Sequence, residues 1–94
     1  MSVYEWDSAK AKLNQKDHGI DFADVDGVFE DALAIGIEDP DAEGEQRFVK
    51  IGADNLGRLL VVVYTYRQDK IRLISARKAT RKEGKEYARR IRFQ

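Results

Sequence analysis

Arg58-Leu-Leu-Val-Val-Val-Tyr-Thr-Tyr-Arg67 is the stretch that decides the fold. Leu59 to Tyr64 are apolar without interruption, so a strand made of them must be covered on both faces, and it belongs in the middle of a sheet. Gln68 and Asp69 then form a tight turn into a second run, Lys70 to Arg77. On the other side, Asp54-Asn55-Leu56-Gly57 has the chemistry of a hairpin turn, which brings Gln46 to Gly52 alongside. Three consecutive antiparallel strands result.

Outward from this hairpin pair, the N-terminal half supplies helices and shorter strands. Val3 to Trp6 reads as a short leading strand. Asp7 or Ser8 caps a helix running to Asp17 or His18, with Gly19 as its stop. In that helix Ala9 and Leu13 face inward and Lys10, Lys12 and Lys16 face out. Asp21 caps a second helix, in which Asp24 mimics a capping box and Phe22, Val25, Val28 and Phe29 recur at helical spacing, marking core positions. Ala32 to Ile37 reads as an apolar strand, and Glu38 to Glu45, with Pro40 and Gly44, as an acidic loop.

The C-terminal element has the clearest start. Thr80-Arg81-Lys82-Glu83 is a capping box. Gly84, Tyr87, Ala88 and Ile91 fall on one face of the helix beyond it, and Arg81, Lys85, Arg89 and Arg92 on another. The expected fold is α+β, with two N-terminal helices, a twisted antiparallel sheet of about four strands and a C-terminal helix. Its 94 residues form one domain, 1–94.

The chain has no formal net charge, yet its charges are segregated. Residues 1–45 carry 13 acidic and 3 basic side chains (3 − 13 = −10), and residues 46–94 carry 4 and 14 (14 − 4 = +10). Such asymmetry points either to a polyanionic partner for the basic half or to an acidic and basic division of labour in which the two halves neutralise each other once folded. No cysteine is present, which excludes disulfides and thiolate metal sites and fits a cytoplasmic protein. The Met-Ser-Val-Tyr-Glu-Trp start lacks the pattern of a signal peptide, and no run is long enough to cross a membrane.

Several segments together are similar to one known family. Lys16-Asp-His-Gly-Ile-Asp-Phe22, Val28-Phe-Glu-Asp31, Glu43 to Gly52, Arg58 to Arg67, and Ile71 to Tyr87 with its Ile-Ser-Ala-Arg-Lys-Ala core resemble, in order and spacing, the BrnT toxins. The resemblance implies a RelE-like fold and a type II toxin: an endoribonuclease that needs no cofactor and acts on RNA, inhibiting translation and growth. It also implies a BrnA-like ribbon-helix-helix antitoxin in a heterotetramer with two copies of each chain, with DNA contacted only through that antitoxin. Two positions depart from the family's pattern: Asp17 replaces a basic residue before His-Gly, and Ala32 follows Asp31 where proline is common.

Cutting RNA without a metal requires a base for the 2′-hydroxyl, charge stabilisation on the phosphate, and an acid for the leaving 5′-oxygen. With His18 as the only histidine, a two-histidine pair is excluded. His18 at a helix end is either a cationic C-terminal cap or a catalytic group, and the adjoining Asp17 favours an acid over a base. Arg77 closes the last strand just before a capped helix N-terminus, which makes either a natural phosphate seat or an ion pair with the acidic N-terminal half. Ser75, two residues earlier, shares its strand face. Glu45 and Arg47 also share a face and suit base and electrophile, or a simple ion pair. Arg67 closes the central strand. Lys50, Arg58, Lys78, Arg81, Lys85 and Arg89 are expected to attract the RNA backbone, and Tyr66 is the better candidate for base stacking. The alternating acids Asp39, Asp41, Glu43 and Glu45 lack the spacing of a calcium loop, so no metal site is expected.

Overall fold

The uninterrupted apolar run becomes the central strand of a five-stranded sheet in a computed structural model of the chain, which describes residues 3–40 and 42–92, with side chains as far as residue 90. In chain order the elements are β1 (Tyr4–Glu5), α1 (Ser8–His18), a single 3-10 turn (Phe22–Asp24), α2 (Gly27–Glu30), β2 (Ile35–Glu38), β3 (Phe48–Ala53), β4 (Leu59–Arg67), β5 (Lys70–Lys78) and α3 (Arg81–Arg92). The strands lie in the order β1-β5-β4-β3-β2. All pairs are antiparallel except β1, which runs parallel to β5. The α+β class holds: the five strands are the five strand segments read from the sequence, and the short β1 joins the antiparallel four as a parallel edge.

Both faces of β4 are covered, as its composition demands. Leu60, Val62 and Tyr64 point into the main core with Ile20, Phe22, Val25, Val28, Leu73 and Ala76, while Val61 is buried on the other face. The hairpin into β5 turns at Gln68 and Asp69, whose positive φ values of 50° and 67° are the left-handed pair that a two-residue turn needs to match strand twist. The β3–β4 turn is organised by Asp54, whose Oδ1 accepts from Leu56 N at 3.0 Å and Arg58 N at 2.8 Å.

The β4–β5 ladder carries one irregularity. Val63 pairs with Ser75 and Tyr64 with Leu73, so Ile74 is an extra residue in β5. Leu73 and Ala76 are three apart, an odd separation that strict alternation would send to opposite faces. The bulge lets both reach the core.

The N-terminal helices differ from expectation in instructive ways. Leu13 and Ala9 of α1 are exposed, not inward; the buried residue of that helix is Asn14. Its Nδ2 donates to Ile20 O at 3.0 Å and to Ala76 O at 2.9 Å, and its Oδ1 accepts from Ala76 N at 3.0 Å. Because β1 covers only the first residues of β5, the Asn14 amide takes the place of a neighbouring strand further along that edge. The end of α1 is as expected: Gly19, at φ 70°, donates its N–H to Gln15 O.

The expected second helix is broken into the 3-10 turn and the one-turn α2. Asp21 does cap, but its carboxylate accepts from Ala23 N at 3.0 Å, a local turn geometry, and the Asp24 capping box does not form. The break lets Gly27 approach the Asp54-Asn55 turn so closely that any Cβ there would meet the Asn55 N at 2.7 Å. The strand expected from Ala32 begins only at Ile35, because Asp31 folds the preceding residues into a turn through its bond from Leu33 N at 3.0 Å.

The capping box of α3 forms as read. Glu83 N donates to Thr80 Oγ1 at 3.2 Å, and Thr80 N donates to Glu83 Oε1 at 2.7 Å. The helix is docked by Tyr87, whose hydroxyl donates to Asp31 Oδ2 at 2.6 Å; the same oxygen accepts from Ala53 N at 2.9 Å. Ala88, expected on the docked face, is exposed. Ile91 and Arg92 carry side chains outside the described residues. Among the described residues no helix is long and apolar enough to cross a membrane.

Candidate active site

The face of the sheet opposite the core carries the arginines. Val61 pairs with Arg77, Val63 with Ser75, Thr65 with Arg72 and Arg67 with Lys70, and in an antiparallel sheet paired residues share a face. Alternation back through Ile51 and Val49 adds Arg47, which directly precedes β3. Arg72 was not among the candidates. Counted by twos from Arg77 and Ser75 it lies on the wrong side, and only the bulge at Ile74 brings it round.

Along this face Arg77, in the row of Val61, stands about 13 Å from the arginines in the row of Thr65, the length of four strand residues, with Ser75 midway in the row of Val63. At one end, Arg67 Nη2 stands 3.5 Å from Glu45 Oε1, with Arg47 and Arg72 one row in. Arg72 lies 3.9 Å from the Glu5 carboxylate. Arg47 has no carboxylate among the described residues, and its buried Nε has no acceptor. At the other end is Arg77, with Ser75 one row nearer the middle. Ser75 shares with His18, Asp17, Lys10, Leu13, Asn14 and Ile74 a shallow cleft of about 230 Å³ between α1 and the edge of β5.

Arg77 is the most tightly held of these cations. Its Nη1 and Nη2 both lie 2.8 Å from the two carboxylate oxygens of Glu83, and Nη1 also donates to Lys78 O at 3.2 Å. The Arg77 bonds, with help from the Thr80 cap, bring the Glu83 carboxyl down to about 2, overcoming its partial desolvation. Arg77 is correspondingly raised. Both groups are charged throughout the physiological range, so neither moves a proton; Arg77 is fitted for holding negative charge. Glu83 entered the sequence reading only as a helix cap.

Other candidates lie elsewhere. Lys50 projects to the core face, its ammonium 5.1 Å from the Phe29 ring centroid and 5.9 Å from that of Tyr64, a cation–π site. Arg58 is committed to the β3–β4 turn, with Nη2 2.7 Å from the Asp54 carboxylate. Tyr66 is exposed, but on the core side beside Phe48, away from Arg77. Lys78, Arg81, Lys85 and Arg89 are exposed around the start and length of α3. The hollow of about 530 Å³ lined by Glu38, Asp39, Pro40, Ala42, Gly44, Glu45 and Gln46 is acidic and repels phosphate. Asp41 of the acidic loop lies outside the described residues; among these, no cluster of three histidine, cysteine or carboxylate side chains is placed to hold a metal.

An arginine-bearing sheet face bordered by a histidine cleft suits a ribonuclease, and residues 6–83 match the family described as ribonuclease toxin, BrnT, of type II toxin–antitoxin systems. The chain belongs to the BrnT family. It is also similar to a solved structure, the 1.1 Å crystal structure of the Brucella abortus ribonuclease toxin BrnT, with a TM-score of 0.65 and 28% identity over 86% of this chain and 100% of that one. No curated protein sequence matches it. The BrnT family match contains His18, Glu45, Arg47, Arg67, Arg72, Ser75, Arg77 and Glu83, and stops before Lys85 and Arg89.

Proposed function

We propose that this BrnT-family chain is a metal-independent endoribonuclease whose scissile phosphate sits on the β5 edge, between the His18–Ser75 cleft and Arg77. The observation that carries this is the register that puts Ser75 and Arg77 on one sheet face while His18 lines the same cleft as Ser75. Arg77 stabilises the phosphorane as charge accumulates on it. Ser75 orients a phosphate oxygen. His18, on the exposed end of α1, gives its proton to the 5′-oxygen as the P–O5′ bond breaks. The ribose 2′-oxygen forms the new bond to phosphorus and loses its proton to a base, leaving a 2′,3′-cyclic phosphate.

Arg47 and Arg67 hold the RNA backbone further along the face, with the carboxylate-free Arg47 as the stronger contact. Glu45 orients Arg67; at this separation it serves a neighbouring nucleotide and not the same phosphate as His18. Lys78, Arg81, Lys85 and Arg89 add long-range attraction. Cleavage would inhibit translation and growth in the cytoplasm until a BrnA-like ribbon-helix-helix antitoxin, in a heterotetramer that alone touches DNA, covers this face.

The test is incubation of the antitoxin-free protein with single-stranded RNA in EDTA. Cleavage with a cyclic phosphate product, lost in Arg77→Ala and diminished in His18→Gln at unchanged fold, is the expected result; intact RNA rejects the reading. The carboxylates on Arg67, Arg72 and Arg77 favour a second reading, a binding module without catalysis. It requires that wild type and Arg77→Ala leave growth equally unaffected while RNA or partner binding stays tight.

A further inference from the structure

A guanidinium has five N–H groups on two recognition edges: the fork between the two terminal nitrogens, and the side made by Nε and one terminal nitrogen. In Arg77 the first edge is filled. Glu83 takes one hydrogen from each terminal nitrogen, and the second hydrogen of Nη1 goes to Lys78 O. Nε–H and the outer hydrogen of Nη2 have no protein acceptor among the described residues, and the side chain is 39% exposed. These two hydrogens run parallel, spaced for the two oxygens of a phosphodiester.

Glu83 is itself immobilised. Its Oε1 also accepts from Thr80 N at 2.7 Å, and its own backbone N–H is held by Thr80 Oγ1. A long side chain on a strand end would otherwise sample many rotamers, and its charge would be spread over them. Locked between the first turn of α3 and the end of β5, the guanidinium plane has one orientation.

We infer that Glu83 is a positioning residue: it grips one edge of Arg77 so that the opposite Nε–Nη2 edge is presented, pre-aligned, as a bidentate seat for the RNA phosphodiester. This rests on the nuclease reading for its substrate, and names the atoms that take it. The capping box of α3 is then shared equipment, one carboxylate serving both helix start and phosphate seat. The alternative use of the same pair is inhibition, with Glu83 neutralising Arg77 toward phosphate, and it predicts the opposite sign.

The experiment compares wild type, Glu83→Gln, Thr80→Ala and Arg77→Lys in cleavage of a single-site RNA and in binding of the same strand with 2′-deoxyribose at that site. Glu83→Gln keeps an oxygen for Thr80 N but loses the charged two-point grip; kcat falls about 100-fold, with a smaller rise in KM, in a protein that stays folded at the assay temperature although its Tm is lowered. Thr80→Ala keeps the backbone N–H that holds Glu83 Oε1 and removes only the hydroxyl on the Glu83 backbone, so it lowers Tm and leaves kcat in place. Arg77→Lys keeps the charge and the ion pair but has no second edge, and is as slow as Glu83→Gln. Wild-type kinetics in Glu83→Gln overturn the inference, as does an equal loss of kcat in Thr80→Ala, and faster cutting or tighter binding in Glu83→Gln marks Glu83 as an inhibitor instead. If wild type leaves RNA intact, the nuclease reading fails by itself; the seat is then judged on binding of the deoxy strand, where undiminished affinity in Glu83→Gln and Arg77→Lys overturns it.

Discussion

Asn14 and Ala76 are 62 positions apart in the chain and share two hydrogen bonds, Nδ2 to the Ala76 carbonyl at 2.9 Å and the Ala76 N–H to Oδ1 at 3.0 Å. This is the exchange that a residue of an adjoining strand would make, supplied by a side chain from a helix. It fixes α1, and with it His18, against the edge that carries Ser75 and Arg77.

Removing that amide is costly. Asn14→Ala leaves the Ala76 N–H and C=O and the Ile20 C=O short of a partner in a buried place, for a loss on the order of 3 kcal/mol. Asn14→Asp loses more, since a carboxylate donates nothing to the two carbonyls. Urea unfolding of the two variants beside wild type measures both, and a loss below about 1 kcal/mol for Asn14→Ala contradicts the role given to it.

Acid stability should report on Glu83. Its folded carboxyl, at about 2, lies below the ordinary value of 4.5, so its contribution is complete above the unfolded value and disappears as pH falls from about 4.5 to about 2. Thermal unfolding of Glu83→Gln should therefore lie below wild type near neutrality and approach it in this acid window. A difference independent of pH between about 5 and about 2 would rule this out.

Tyr87 acts at the other end of the scale. Burial, followed by its bond to the Asp31 carboxylate, pushes the phenol up to about 12. A raised folded value means that its stabilisation is full below about pH 10 and is lost as pH rises toward about 12. Tyr87→Phe removes one bond to a charged acceptor, costing about 1.5–3 kcal/mol near neutrality. Calorimetry at about pH 7 and about pH 11 should show the gap between wild type and variant narrowing at the higher value.

The β4–β5 turn is open to improvement. Gln68 and Asp69 both hold positive φ, which costs a non-glycine residue about 1 kcal/mol or more each. Replacing the pair with Asn-Gly should stabilise the fold by about 1–2 kcal/mol without touching the arginine face. Chemical denaturation checks the gain, and no gain would mean that the two side chains contribute in some other way.

The strands and their turns were legible because their signals are local: an unbroken apolar run, Asp and Gly at turn positions, and a Thr-to-Glu capping box. The break between the 3-10 turn and α2 was not, because it answers to the distant Asp54-Asn55 turn against Gly27. Asn14 was hidden for the same reason, its partners being the backbone of β5. The family likeness was readable in the residue strings, and Arg77 and Ser75 were correctly assigned to one strand face. Arg72 was missed because the bulge at Ile74 reverses the alternation that runs back from Arg77 and Ser75, and Lys50 and Tyr66 were grouped with residues that face the other way, since strand alternation alone does not tell which side of a sheet is covered.

The single surplus residue at Ile74 gives β5 two reading frames. Before it, odd positions such as Leu73 serve the interior; after it, even ones such as Ala76 do, and the odd ones are released to the outer surface where Ser75 and Arg77 stand. The same residues paired in strict alternation from Leu73 would turn a guanidinium inward and an alanine out. Excising Ile74 would instead straighten the strand and leave both where they are.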